Sequence, residues 1–274
     1  MINKIKESII SHDKDNNRIY LMKLHTSEAR FITEVLEEVA RRKVYTKIFV
    51  KVPSKNKALF LKKGYSIEAV IPRLYKGVED GLLLGKYFSK DRQIEKDREL
   101  VDKVFNEAIK NKDRDKKSIL REGLKYKKAE EADCLKLANF YKMNFKTYPF
   151  PIYEDKYILE TMKDNVIYFT IWDKEEVVAA SSCEIDMENL NAEMTDFATN
   201  TQYRNSGIAC FLLTNMEEEM KKIGIKTVYT IARSKSYGMN ITFSKKGYIF
   251  AGKLINNTNI SGDIESMNVW YKEI

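Results

Sequence analysis

The sequence predicts an α/β chain, an α+β mixed sheet in which one complete unit follows a partial copy of itself. Three observations predict it. Short runs with strand-like alternation interleave with runs of helical spacing along most of the chain. "FLKKGY" at 60–65 recurs as "FSKKGY" at 243–248, an offset of 183. Between these copies, residues 89–122 hold no proline or glycine and are densely charged.

In chain order, "EARFITEVLEEVARRK" places Phe31, Ile32, Val35, Leu36 and Val39 at helical spacing. Residues 44–52, "VYTKIFVKV", are β-branched, aromatic and alternating, which predicts a strand ending at Pro53. "SKNKALFLKKG" follows as a short helix, with Ser54 as cap and Gly64 as stop. "YSIEAVIPRLY" and "GLLLGKYF" read as two strands joined by "KGVED". The C-terminal stretch "KTVYTIARSKSYGMNITFSKKGYIFAGKL…SMNVWYK" repeats that order: strand, helix, strand, turn, strand. At the same offset without a gap, Asp80 falls on Asp263 and Tyr87-Phe88 on Trp270-Tyr271, while "VYT" recurs one position further on.

A new unit starts near Leu124. "LKYKKAE" reads as a strand, "EADCLKLANFYKMNF" as a helix, "TYPFPIY" as a break and "EDKYILETMKDN" as a second helix. "VIYFTIWDKEEVVAASSCEID" reads as a hairpin turning at Asp173–Glu176, and "LNAEMTDFAT" as a strand. The C-terminal unit is therefore β-α-α-β-β-β-α-β-α-β-β. The division this implies is a partial N-terminal domain over 1–90, a charged helical linker over 91–122 and a complete domain over 123–274.

Composition narrows the function. No apolar run approaches the roughly 18–20 residues of a membrane helix, and the N-terminus breaks its apolar residues with charges, unlike a signal peptide. Three widely spaced cysteines and two histidines cannot assemble the usual zinc sets, so no metal is expected. A reduced, cytoplasmic protein without membrane contact is the expectation. The net charge is +8, and residues 86–128 carry 15 basic against 9 acidic side chains. That segment could meet a polyanion, but its alternating signs fit a solvated helix better, and nucleic acid is not expected as a partner.

Arg204–Ala209, within "YRNSGIACFLL" (203–213), lies between the strand over 192–199 and a helix starting at about 207 and running to about 223. Amides at a helix start lack intrahelical acceptors, and the dipole favours an anion there. Gly207 lets the main chain approach closely, Ala209 leaves room, and Arg204 can add charge-assisted hydrogen bonds. These six residues fit a phosphate cradle or a plain turn into a helix equally. They form neither a Walker loop nor a GxGxxG loop.

Strand, R-x-x-G-x-A, helix, strand, helix and "KKGY" in this order resemble the acetyl-CoA-binding core of the GNAT N-acetyltransferases, over roughly 124–274. The N-terminal repeat resembles only the second half of that fold and lacks the phosphate loop. More narrowly, "AEMTDFAT", "YTIARSKSYGMN" and "IESMNVWYK" resemble the β-lysine N-acetyltransferases, which make the compatible solute Nε-acetyl-β-lysine. The resemblance implies acetyl-CoA as cosubstrate and β-lysine as acceptor, acetylated on its terminal N6 amine by direct attack on the thioester. A polyamine, an aminoglycoside or a protein lysine is the alternative acceptor. An acyl-CoA sensor without turnover is the non-enzymatic alternative.

Residue roles follow from the same resemblance. Backbone amides near Phe197, Ala198 and Thr199 would orient and polarise the thioester. The diphosphate would lie on Arg204, Asn205, Ser206, Gly207, Ile208, Ala209 and Cys210. An amine that is mostly ammonium at neutral pH needs a base, and Glu193 and Asp196 are the carboxylates on the strand. On a regular strand they point to opposite faces unless a bulge intervenes. The family often places a tyrosine four residues before the KKGY glycine to protonate the thiolate. Here that position is Phe243, which leaves Tyr237, Ser236 or water as the acid. Arg233 is the candidate for the substrate carboxylate, Glu265 for its second amine, and Tyr148 for the substrate-side wall. Asn256 and Asn257 are either pocket residues or a turn. The N-terminal half is expected either to cover an edge of the catalytic sheet or to form a homodimer contact.

Overall fold

The structure, a computed structural model, describes residues 2–114 and 119–274. Its N-terminal half runs β1 (Ile2–Ile5), β2 (Ser8–Asp13), β3 (Arg18–Lys23), α1 (Ile32–Lys43), β4 (Lys47–Pro53), α2 (Lys57–Lys62), β5 (Ser66–Tyr75) and β6 (Glu79–Tyr87). Two helices, α3 (Lys90–Gln93) and α4 (Arg98–Lys110), lead to the second half. There follow β7 (Leu124–Lys128), α5 (Cys134–Asn144), α6 (Asp155–Asp164), β8 (Val166–Asp173), β9 (Glu176–Asp186), β10 (Asn191–Thr199), α7 (Ile208–Lys222), β11 (Thr227–Arg233), α8 (Tyr237–Lys245), β12 (Ile249–Ile260) and β13 (Asp263–Glu273).

All thirteen strands form one mixed sheet in the order β1-β2-β3-β4-β6-β5-β12-β13-β11-β10-β9-β8-β7. Outward from the β5–β12 contact the two halves follow the same order, and each has one parallel pair, β3 with β4 and β10 with β11. The N-terminal half therefore holds more of the unit than the sequence reading assigns to it. Strands β1 to β3 answer β8 to β10, and only β7, α5 and α6 lack counterparts. These strands escape a pattern search because polar side chains are buried in them. Ser8 is fully buried, and buried Glu28 accepts the amides of Glu7 (2.8 Å) and Ser8 (3.1 Å).

The repeat is real in space but not gapless. Ile67 and Phe250 each precede a bulge, and their partners are Leu84 and Trp270. Leu84, not Tyr87, stands at the place of Trp270. Likewise β4 and β11 match end to end, so "VYT" precedes one strand and lies inside the other. One helical turn shifts the strands before the helices, since α2 has 6 residues where α8 has 9, and the longer β12–β13 hairpin accounts for the shift at Trp270.

Alternation assigns the faces. In the second half Val228 and Trp270 pack with α7 and α8, while Tyr229, Met267 and Val269 point to the other face. In the first half Ile48 and Val50 pack under α1, and Phe49 points away. On that other face Tyr20, Phe49 and Leu83 of the first half meet Tyr229, Leu254 and Met267 of the second in one apolar cluster. The N-terminal half thus covers an edge of the second sheet, joined where Gly252 pairs with Ala69. Gly252 has φ +148°, and a Cβ there would lie 2.2 Å from the Glu68 carbonyl oxygen, so a side chain would force the halves apart.

The connecting segment is not one helix. It breaks over Ile94–Asp97, with Asp97 at φ 52°. Beyond the break α4 buries Val101, Val104 and Ala108, and Phe105 packs against Phe250, ring centroids 4.6 Å apart. Across residues 86–128 basic side chains have protein partners: Lys86 with Glu37, Lys96 with Asp263, Lys128 with Glu219. Residues 115–118 of the expected helix lie outside the described ones. No helix among the described residues is long and apolar enough to cross a membrane, and none of their His, Cys, Asp and Glu side chains cluster as a metal site.

Candidate active site

Strands β10 and β11 pair only over Asn191–Glu193 with Thr227–Tyr229, then part. The split opens into a cavity of about 800 Å³. One limb lies between the ends of β10 and β11 and the starts of α7 and α8. The other runs under the α5–α6 connection to the strands of the N-terminal half.

At the first limb, Asn205 (φ 61°) and Gly207 (φ 80°) turn the chain into α7. The Phe211 amide is bonded back to the Gly207 carbonyl at 3.0 Å, so the Ile208 and Ala209 amides of the first turn have no helical acceptor behind them. Arg204, Asn205, Gly207, Ile208, Ala209 and Cys210 line the cavity. Ser206 does not; its hydroxyl donates to the Tyr203 carbonyl at 2.5 Å. Arg204 Nε donates to the Thr199 carbonyl at 3.1 Å, tying the loop to the strand end. Phe197, Ala198 and Thr199 border the split. The Asn200 amide donates to Val178 on β9 at 2.9 Å; because strand amides alternate in direction, that of Thr199 points into the split. A free helix start, a left-handed glycine and an unpaired strand edge fit a diphosphate followed by an amide-bearing arm, as acetyl-CoA requires.

A bulge decides the carboxylates. Thr195 pairs with Ser182 and Ala198 with Ala180, so β10 gains one residue, with Asp196 at φ 54°. Glu193 and Asp196 therefore both border the cavity. Asp196 accepts hydrogen bonds from the Tyr148 and Ser182 hydroxyls, which occupy both of its oxygens. Burial raises its pKa, against the hydrogen bonds from Ser182, Tyr148 and Thr195. Glu193 is less engaged. Burial, reinforced by Glu184, raises its pKa to about 7, and the Tyr229 hydroxyl is its hydrogen-bond partner. Lys51 Nζ in turn donates to Tyr229 Oη at 2.6 Å, completing a chain from the N-terminal half to the carboxylate.

Other sequence candidates are placed differently. Arg233 and Glu265, read as opposite poles of the substrate pocket, bind each other through two hydrogen bonds of 3.0 and 2.8 Å. Arg233 still borders the cavity, but Glu265 does not, and neither is left to hold a separate charge. Phe243 is fully buried, edge-on to Phe197 and Tyr248, so it is a packing residue. Tyr237 opens α8, 43% exposed, at the cavity wall; Ser236 caps that helix by accepting from the Met239 amide at 3.4 Å. Asn257 borders the cavity, whereas Asn256 bonds the Arg92 and Ile94 carbonyls.

Several residues of the site carry no sequence signal of a role. Ser182 and Glu184 end a run of small apolar residues on β9, where a glutamate closing such a run is the one available hint. Arg18, Tyr20, Met22 and Phe49 come from the N-terminal half, which the sequence reading leaves outside the site.

Comparison with known proteins agrees with this geometry. The profile of the Acetyltransferase (GNAT) family matches residues 134–239. The chain is 44% identical over 269 residues to the Beta-lysine N(6)-acetyltransferase of Methanococcus maripaludis, covering 98% of this chain and 97% of that one. It is 32% identical to the protein of the same name from Methanosarcina mazei, covering 87% and 95%. It is 28% identical to N-acetyltransferase YodP of Bacillus subtilis over the full length of both.

Proposed function

Because the chain belongs to the GNAT acetyltransferase family, we propose that it transfers the acetyl group of acetyl-CoA to the N6 amine of β-lysine. The observation that carries this reading is a half-buried carboxyl, Glu193, poised near neutrality where β10 and β11 part. Full-length similarity to two proteins named for that reaction supports the acceptor.

Acetyl-CoA supplies an acetyl group already activated as a thioester. The α7 start and Arg204 would hold its diphosphate, and the Thr199 amide, aimed into the split, would supply a hydrogen bond to polarise the thioester. Glu193 takes a proton from the substrate ammonium, directly or through one water, at a pH where the carboxyl is already ionised while the amine is still protonated. The hydrogen bond from Tyr229, itself bonded by Lys51, holds the Glu193 carboxylate in place. Asp196, with both oxygens occupied, positions Tyr148 against the acceptor limb and is a positioning residue. The Tyr237 hydroxyl is the side-chain donor assigned to the departing thiolate, since Phe243 has none.

A panel of β-lysine, α-lysine, ornithine and spermidine, followed by thiol release and product mass, tests the reading. β-Lysine should give the highest kcat/KM with the acetyl on N6. A higher value for another amine replaces the acceptor, and acetyl-CoA binding without thiol release replaces the enzyme with a sensor.

A further inference from the structure

A buried cation needs a counter-charge or a full set of acceptors. Three buried cations lie near the junction of the halves: Arg18, Lys47 and Arg92. Lys47 is paired with Glu68 at 2.8 Å and donates to the Ile255 carbonyl at 2.8 Å. Arg92 spends Nε, Nη1 and Nη2 on the Asn256 carbonyl, Thr46 Oγ1 and the Asn16 carbonyl. Arg18 differs. Only its Nη1 is bonded, to the Asn257 carbonyl at 2.5 Å and Thr258 Oγ1 at 3.0 Å. Nε and Nη2 have no acceptor and the group no ion-pair partner among the described residues, and Arg18, unlike Lys47 and Arg92, borders the cavity.

Its surroundings hold it there. The guanidinium lies 5.6 Å from the centroids of Tyr20 and Phe49, which stack on each other at 4.5 Å. Beside it the chain of β12 bulges between Leu254 and Thr258. That bulge brings Asn257 to the cavity, 1% exposed, with its Oδ1 accepting no hydrogen bond. A fixed cationic fork and an unused amide oxygen thus adjoin each other on the acceptor limb.

We propose that Arg18 binds the carboxylate of the acceptor and that Asn257 Oδ1 accepts from the neighbouring ammonium, so that the N-terminal half reads the amino-acid head while Glu193 receives the far amine. The inference rests on the acceptor reading above and deepens it. A planar fork with two free donor nitrogens suits a carboxylate. Polyamines carry no anion, and binding one would leave Nε and Nη2 of the fork without an acceptor. The partial N-terminal unit then has a use without any cofactor of its own: it supplies the specificity wall of the complete one.

The test compares β-lysine with 1,4-diaminopentane, the same chain with hydrogen in place of the carboxylate. In wild type, β-lysine should be the better substrate. In Arg18→Gln the ratio of the two kcat/KM values should fall by about 100-fold, with the KM for acetyl-CoA unchanged. An equal loss on both substrates, or none, overturns the role of Arg18 and leaves the acceptor reading standing. A wild type that does not prefer β-lysine overturns both. Should Arg18→Gln fail to fold, Arg18→Lys gives the same comparison, since it keeps the charge and loses the fork; its ratio should fall by about 10-fold, and an unchanged ratio again overturns the role.

Discussion

Replacing Glu193 by Gln should cost activity and add stability, and the two effects should share one pH dependence. Raising a carboxyl from its ordinary 4.5 to about 7 penalises the ionised form by about 3 kcal/mol at 1.36 kcal/mol per pH unit. Glu193 borders the cavity, and water there reduces the folding penalty to roughly 1–2 kcal/mol. The folded state holds this proton more tightly than the unfolded chain does, so wild-type stability falls as pH rises from about 4.5 through about 7. Gln carries no such charge. The variant should therefore melt at the wild-type temperature near pH 4.5 and roughly 2–6 °C higher at pH 8. Activity moves the other way. Wild-type kcat/KM should rise with pH up to about 7, where Glu193 becomes the carboxylate that accepts the proton. In Glu193→Gln it should drop by roughly 10²–10³-fold and lose that limb. Asp196→Asn should keep the limb, because its oxygens already serve Tyr148 and Ser182. The assays are thiol release from pH 5.5 to 9.5 and calorimetric melting over the same range. A Glu193→Gln enzyme that keeps the neutral limb with less than a tenfold loss, while Asp196→Asn loses it, would refute the assignment of the base.

Gly207→Val forces a β-branched residue into φ +80° at the α7 start and should raise the KM for acetyl-CoA at least about tenfold; an unchanged KM makes the motif a turn. Gly252→Ala drives a Cβ into the Glu68 carbonyl at the seam of the two halves and should destabilise by roughly 2–4 kcal/mol in denaturant melts; a change below 0.5 kcal/mol would mean the seam is loose. Phe105→Ala removes the ring that packs on Phe250 and Trp270 and should cost about 2–3 kcal/mol, whereas a free solvated linker helix would tolerate it.

The order of elements in the second half, the phosphate-binding helix start and the two carboxylates of its strand are legible in the sequence because each rests on local chemistry. Alternation marks Val228 from Tyr229, a left-handed glycine marks the start of α7, and a run of charges marks the connecting segment. What lies opposite a residue is another matter. One inserted residue in β10 turns Asp196 toward the cavity that Glu193 also borders, and a bulge of that kind leaves no periodic trace. Arg233 and Glu265 neutralise each other across 32 residues, and Arg18 reaches Asn257 across 239. Such pairings depend on the register of strands that are distant in the chain. The sequence by itself determined which machine this is; the packing of its first half against its second decided which charges remain free to hold a substrate.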